Sequence, residues 1–406
     1  MIEQTFTVAG DTVRIHTLER PADLDPLRDW FRQSTERISM DTETTGLNTW
    51  APDVRVRLVQ MGDANDAWVL PVGYGLGDAL GAILSHRAYS WVTHNGLAFD
   101  SIALRTQGLL QEPVEVFARR VHDTKIMSHL IDPRSQLDGG VGHSLKGLTG
   151  YWVDPSAPDT GRELHKRFKD YRVAVPGKTY ASGKRKGEQF YRPATVSEGW
   201  SLIDTFDPLY TLYAGLDVIF TSRLYEVLLC EIDGFGLRDL WEFERNVALV
   251  CLEMQANGMM VDEEYSRSLA DHLQEEASKF QAEAANYGCK SVNAPQKVVE
   301  AFTALGATLT KQTKSGAPSV DSSVLEELKS QGGNVAYLAK AITSAKRSDK
   351  WRTAYVESML DLRDSKGRVH PVINSLQAVT GRMSVSDPPF QQLPSKKDSG
   401  LGEETA

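Results

Sequence analysis

The 406 residues carry a formal net charge of −9, with 41% hydrophobic and 24% charged side chains. That length exceeds one comfortable core, so two or three domains are expected, and the composition is that of an ordinary globular protein. No run approaches the roughly 18 apolar residues of a membrane span. The acidic start Met1-Ile-Glu-Gln4 does not read as a secretion signal, and Cys230, Cys251 and Cys289 are too few and too scattered for a disulfide or zinc pattern. These features lead us to expect no membrane partner and a reducing, cytoplasmic setting, and the acidic total argues against a generally basic nucleic-acid binder.

In chain order, Thr5–Val8 and Val13–His16 read as short strands. A helix follows, with Pro21 and Asp23 near its start and Leu27, Trp30 and Phe31 on one face. Ile38–Asp41, Val54–Gly62 and Ala67–Val72 read as strands, the second half-exposed because its residues alternate in polarity. Gly77–Ser85 is helical, Ser90–His94 a strand, and helices open at Asp100 and Ser144. A long helix over Leu209–Cys230, ending near Gly234, closes what should be a mixed α/β sheet domain.

Three motifs fall on these elements. Asp41-Thr-Glu43 ends a strand, whose period of two puts both carboxylates on one face. Asn95-Gly-Leu-Ala-Phe99-Asp100 follows another strand, and Tyr213 precedes Asp217 by one helical turn. Four carboxylates without His or Cys suit Mg²⁺ or Mn²⁺ rather than zinc.

The set resembles the DEDDy group of 3′→5′ exonucleases, whose domain is ribonuclease H-like. The resemblance implies two divalent metal ions, with Asp41, Glu43 and Asp217 on one and Asp41 and Asp100 on the other. It also implies that Tyr213 orients the attacking water, that Leu47 wedges against the terminal base, and that Asn95 and Phe99 belong to the substrate site. Phe99 has a second reading, which we favour: packing under the Asp100 helix. His94 reads as a strand-end residue with a local hydrogen bond rather than a catalyst. Asp123, beside His122, reads as a helix N-cap rather than a metal ligand.

Between the second and third motifs lies a basic insert, about 158–205, including Arg162, Lys166, Arg167, Lys178, Lys184, Arg185, Lys186 and Arg192. Tyr171, Tyr180, Phe190 and Tyr191 are interleaved with these cations. Such a mixture suits a single strand, phosphates by charge and bases by stacking. The stretch Gly177–Gly187 reads equally well as a solvated surface hairpin.

From Trp241 onward the pattern is helical. Trp241–Met254 stops at Asn257-Gly258, and a second helix from Val261-Asp262 to about Tyr287 should pair with it antiparallel. Glu244–Asp262, Asn293-Ala-Pro-Gln296, the strand–loop–helix from Leu309 to Leu325, and Lys350 before Tyr355 resemble the thumb of family A DNA polymerases of the bacteriophage or bacterial type. Gly367–Pro371, Thr380-Gly-Arg382-Met-Ser384 and Asp387–Pro394 resemble the strands entering the palm. This implies a phosphate contact for Lys350 and a minor-groove contact for Arg382.

We therefore expect an exonuclease domain over 1–232, a helical thumb over 233–357 and the start of a palm over 358–406. The expected partners are a single-stranded DNA 3′ end at the nuclease site and duplex primer–template at the thumb, in a nucleoid or an infected host's cytoplasm. The later polymerase motifs do not occur within these residues, so the palm and fingers are expected on a separate polypeptide or lost by truncation. Two alternatives share the motifs: a DNA-binding fragment with a vestigial nuclease site, and an RNA-trimming exonuclease.

Overall fold

The computed structural model describes residues 1–34, 37–157, 159–313 and 315–393. The expected palm segment at Asp387–Pro394 therefore runs past the described residues at its last position. The chain divides into two compact units. The first is Met1–Asn257 with Val372–Val385, and the second is Gly258–Pro371 with the described residues from Ser386 onward. No helix among the described residues is long and apolar enough to cross a membrane.

The first unit is built on one mixed sheet of seven strands: β1 (Ile2–Val8), β2 (Asp11–Thr17), β3 (Arg37–Thr44), β4 (Val56–Gly62), β5 (Asp66–Pro71), β6 (Ser90–Thr93) and β7 (Val121–Asp123). Their order is β1-β2-β5-β4-β3-β6-β7. β1 and β2 form a hairpin whose two loop residues, Ala9 and Gly10, both have positive φ, the backbone a two-residue turn demands. β3 and β5 run antiparallel to β4, while β6 and β7 extend the sheet parallel to β3. This is the ribonuclease H-like mixed sheet.

Helices cover both faces: α1 (Leu24–Gln33), α2 (Gly77–Leu84), α3 (Asp100–Thr106), α4 (Val114–Ala118), α5 (Thr124–Ile131), α6 (Leu145–Trp152), α7 (Thr160–Phe168), α8 (Val196–Leu202), α9 (Pro208–Gly234) and α10 (Arg238–Asn257). On one face Ile38, Met40, Val59, Met61 and Trp91 pack with Leu104, Phe117 and Leu224. On the other, Val13, Ile15, Leu58 and Val69 meet Tyr210, Ala214 and Ile219 of α9. A Cβ at Gly215 would lie 2.5 Å from Ile15 Cγ2, so glycine there lets α9 lie close on the sheet.

β4 is not the half-exposed strand its alternation suggested. Its residues are almost all buried, because α9 packs over it. Arg57 is tolerated there because its guanidinium donates to the carbonyls of Trp200 and Ile203 and to the Thr205 hydroxyl. Within the basic insert, β8 (Arg172–Thr179) and β9 (Gln189–Pro193) form a separate two-stranded hairpin.

The first unit extends past the expected boundary at 232, since Trp241, Ala248, Leu252 and Ala256 of α10 join its core. The helix expected to pair with α10 is α11 (Glu263–Asn286), which belongs to the second unit and packs there against a later helix. That unit contains α12 (Pro295–Ala304), α13 (Ser322–Ser330), α14 (Gly333–Lys350) and α15 (Ser358–Asp361). α11 and α13 both pack on α14, around Phe302, Leu325, Leu338 and Ile342. The strand expected from Leu309 is reduced to one isolated bridge, Gln312 with Pro318. Short pairs complete the chain. β10 (Met259–Met260) meets β11 (Arg368–Val369), and β12 (Val372–Asn374) meets β13 (Ser384–Ser386).

Candidate active site

β3 pairs with β6 only from Arg37 to Ser39, so its C-terminal half runs on beyond its parallel neighbour. Asp41 and Glu43 lie on that overhang, facing α9. Asp217, two residues past Gly215, comes down from the helix to meet them. The three residues each offer a carboxylate oxygen, all within 4.8 Å of one another. Asp100 stands in the first turn of α3, directly after the loop that leaves β6, and its Oδ1 accepts from the Thr42 hydroxyl. It is not one of that close triad, but Asp41 is the largest charge acting on it.

Electrostatically the cluster is poised for a cation. Burial and the Asp217 charge push the Asp41 carboxyl up to about 7, and burial pushes Asp217 up to about 7 as well. Burial, then the neighbouring carboxylates, hold Glu43 and Asp100 well above the usual range. Four like charges in one buried place are unfavourable unless protonated or neutralised by a cation. An all-oxygen donor set of this kind fits Mg²⁺ or Mn²⁺. The Tyr213 phenol donates to Asp217, and that negative charge, with burial, raises its pKa well above the ordinary value. It is therefore a neutral donor rather than a base.

The groove containing these acids is also lined by Leu47, Asn95, Phe99, Val196 and Trp200. Leu47 is 84% exposed at its mouth. Asn95 sits at φ 68, its backbone N–H donating to Asp123 and its side-chain oxygen accepting from Lys125 Nζ. Asp123 is the N-cap of α5, as its place in the sequence suggested. His94 donates from Nε2 to the His143 carbonyl and meets the Thr124 hydroxyl at Nδ1. Burial holds it down to about 4, so it is neutral and locally satisfied.

The other expected DNA-binding residues lie elsewhere. Lys184, Arg185 and Lys186 are exposed at the tip of the β8–β9 hairpin and do not line the groove. Several of the hairpin's cations and rings are engaged with each other. The Arg185 guanidinium lies 4.5 Å from the Tyr180 ring centroid and pairs with Glu188, and Lys178 lies 4.5 Å from the Phe190 ring. Arg382 is exposed in the turn between β12 and β13, and Lys350 is exposed at the end of α14.

Three residues of the site escaped sequence reasoning. Gln60 bridges Asp41 and Glu43; its place opposite Asp41 follows from strand register, which single-sequence patterning does not fix. The positive charge of Lys146 pulls Asp217 downward, and its ammonium pairs with Asp159. Trp200 puts its ring 6.0 Å from that of Tyr213. An aromatic thirteen residues before the Tyr213 motif carried no signal in the sequence.

A sheet overhang bearing two carboxylates, a third from the covering helix and a tyrosine one turn away define a nuclease-type site. Residues 20–233 match the family model described as 3′-5′ exonuclease, and residues 263–403 match that of DNA polymerase family A. The chain belongs to the 3′-5′ exonuclease family, and its later residues are similar to family A of the DNA polymerases. It is 35% identical over 399 residues to a DNA polymerase of Mycobacterium phage D29, covering 97% of this chain and 61% of that protein. It is 33% identical over 396 residues to a DNA polymerase of Mycobacterium phage L5, covering 97% and 62%. The chain thus spans about three-fifths of the length of these relatives. In fold it is similar to the POL domain of Pol1 from M. smegmatis, solved in complex with DNA primer-template and dNTP. That likeness has a TM-score of 0.61 at 17% identity, over 95% of this chain and 57% of that one.

Proposed function

We propose that the first unit is a metal-dependent 3′→5′ exonuclease that trims single-stranded DNA ends in a proofreading role beside the family A elements that follow it. The observation that supports this best is the meeting of half-buried Asp41 and Asp217 with buried Glu43, with Asp100 adjoining. Asp41 belongs to the triad and is also the largest charge acting on Asp100, which suits it to serve both of two cations. The chemistry two divalent ions supply in such a site is a water acidified to near neutral pH and neutralisation of charge on the leaving 3′ oxygen.

The chain's own residues would do the rest. Tyr213, held by Asp217, offers an oriented hydroxyl to the attacking water without taking its proton. Leu47 at the mouth would stack against the terminal base, with Phe99 and Trp200 forming other walls of the groove. Lys350 and Arg382 would bind duplex primer–template.

Release of mononucleotides from a 5′-labelled single strand, with Mg²⁺ or Mn²⁺ and with EDTA, tests the reading. Asp41→Ala should remove nearly all release, a loss of about a thousandfold or more, because it strips a ligand from both cation positions. Full activity in that variant would overturn the assignment. Faster trimming of RNA than of DNA of the same length would favour the RNA-trimming alternative.

A further inference from the structure

We propose that Gln60 is a positioning residue that holds Asp41 and Glu43 in their metal-binding geometry before any cation arrives, an inference that rests on the metal-dependent reading above. In the antiparallel ladder Asp41 stands directly opposite Gln60, and Glu43 stands opposite Leu58. Side chains two apart share a face, so Gln60 is the direct cross-strand neighbour of Asp41 and the diagonal neighbour of Glu43. Its amide nitrogen donates to Asp41 Oδ2 at 2.8 Å and to Glu43 Oε1 at 3.2 Å. Both protons of one NH₂ group are thereby spent on two different carboxylates.

The direction of the amide follows from charge. With both carboxylates ionised, as a bound cation would require, the reversed group would aim a carbonyl oxygen at two anionic oxygens, so the nitrogen facing them is the orientation that suits metal binding. The cost of this choice is visible on the other side. Gln60 is fully buried, and its Oε1 has no hydrogen-bond partner among the described residues. A buried acceptor left unmade is unfavourable. That cost accompanies two hydrogen bonds that fix the two carboxyl groups relative to one another.

The geometry divides each carboxylate in two. Asp41 Oδ2 and Glu43 Oε1 are held by the amide, which fixes both planes. Asp41 Oδ1 and Glu43 Oε2 receive no hydrogen bond from Gln60 and remain available to a cation. Groups that orient metal ligands in this way typically change metal affinity by about 10–100-fold when removed.

Mn²⁺ binding, measured calorimetrically on the whole chain without DNA, isolates this role from catalysis. Gln60→Met keeps the length and approximate volume but has no donor. Gln60→Asn keeps the amide but is one methylene too short to reach both carboxylates. Each should weaken Mn²⁺ binding by about 10–100-fold, with thermal unfolding in EDTA showing that the variant is folded. In the wild-type chain, Mg²⁺ should shift the Gln60 side-chain amide resonances more than those of other glutamines, which requires no substitution. Wild-type Mn²⁺ affinity in a folded variant, or an amide signal indifferent to Mg²⁺ that binds, would reduce Gln60 to packing and overturn the inference. A wild-type chain that binds no Mn²⁺ would overturn the metal-dependent reading itself.

Discussion

The acidic groove and the basic hairpin both concentrate charge of one sign, and they are built by opposite rules. The groove carboxylates lie on a strand overhang, a helix start and a long helix. Glu43 and Asp100 are buried and Asp41 and Asp217 half-buried, and their partners Thr42, Gln60 and Tyr213 sit on β3, β4 and α9. The hairpin cations lie on a detached two-stranded ribbon, exposed, and several are paired with their own neighbours. Buried like charges cannot relax, so each has a large and specific effect. Exposed charges are screened by solvent and salt, so each contributes little and they act as a sum.

The sharpest way to break this contrast is inside the groove. Tyr213→Phe removes one oriented hydroxyl and should slow nucleotide release by about 10–10³-fold, with Mn²⁺ affinity little changed. A large drop in metal binding in that variant would make the phenol a structural support of Asp217 instead.

Stability should report the same burial. In the folded chain without metal, Asp41 and Asp217 are raised from 3.8 to about 7, so the folded state holds their protons more tightly than the unfolded one. Their stabilising contribution is present below about pH 4 and is lost as pH rises through about 7. In EDTA the melting temperature should therefore fall across that window by several degrees more than in saturating Mg²⁺, where cations replace the protons. Parallel curves with and without Mg²⁺ would mean that the carboxylates are not electrostatically joined to a metal.

The smallest effect belongs to the hairpin. Neutralising Lys184, Arg185 and Lys186 together should leave turnover of saturating single strands unchanged and weaken binding at low salt. The log–log salt slope should drop by about 0.7 for each phosphate that the hairpin no longer neutralises. Because Arg185 is already paired with Glu188 and Tyr180, the two lysines should account for most of the change. An unchanged slope would leave the hairpin as a solvated feature with no part in DNA handling.

Much of this was legible in the sequence because local rules set it. Strand period fixes Asp41 and Glu43 on one face, helical period fixes Tyr213 under Asp217, and the N-cap preference identifies Asp123. What escaped depends on long-range pairing. The burial of β4, the position of Gln60 and the hydrogen bonds from Arg57 to the α8–α9 connection all require knowing which elements cover which face. The membership of α10 was misjudged for the same reason. Its apolar stripe is visible in the sequence, but not the surface that the stripe meets.

Asn95 brings a constraint of another sort. Its backbone is left-handed, a conformation uncommon outside glycine and tolerated best by asparagine and aspartate. Its side chain also holds the ammonium of a half-buried Lys125. Glycine would satisfy the backbone and abandon the lysine; alanine would fail both; aspartate would satisfy both but place a second carboxylate near Asp123. The motif's asparagine thus answers two demands, one of torsion and one of a half-buried cation. Evolutionary drift at that position should be narrow for reasons that need no DNA at all.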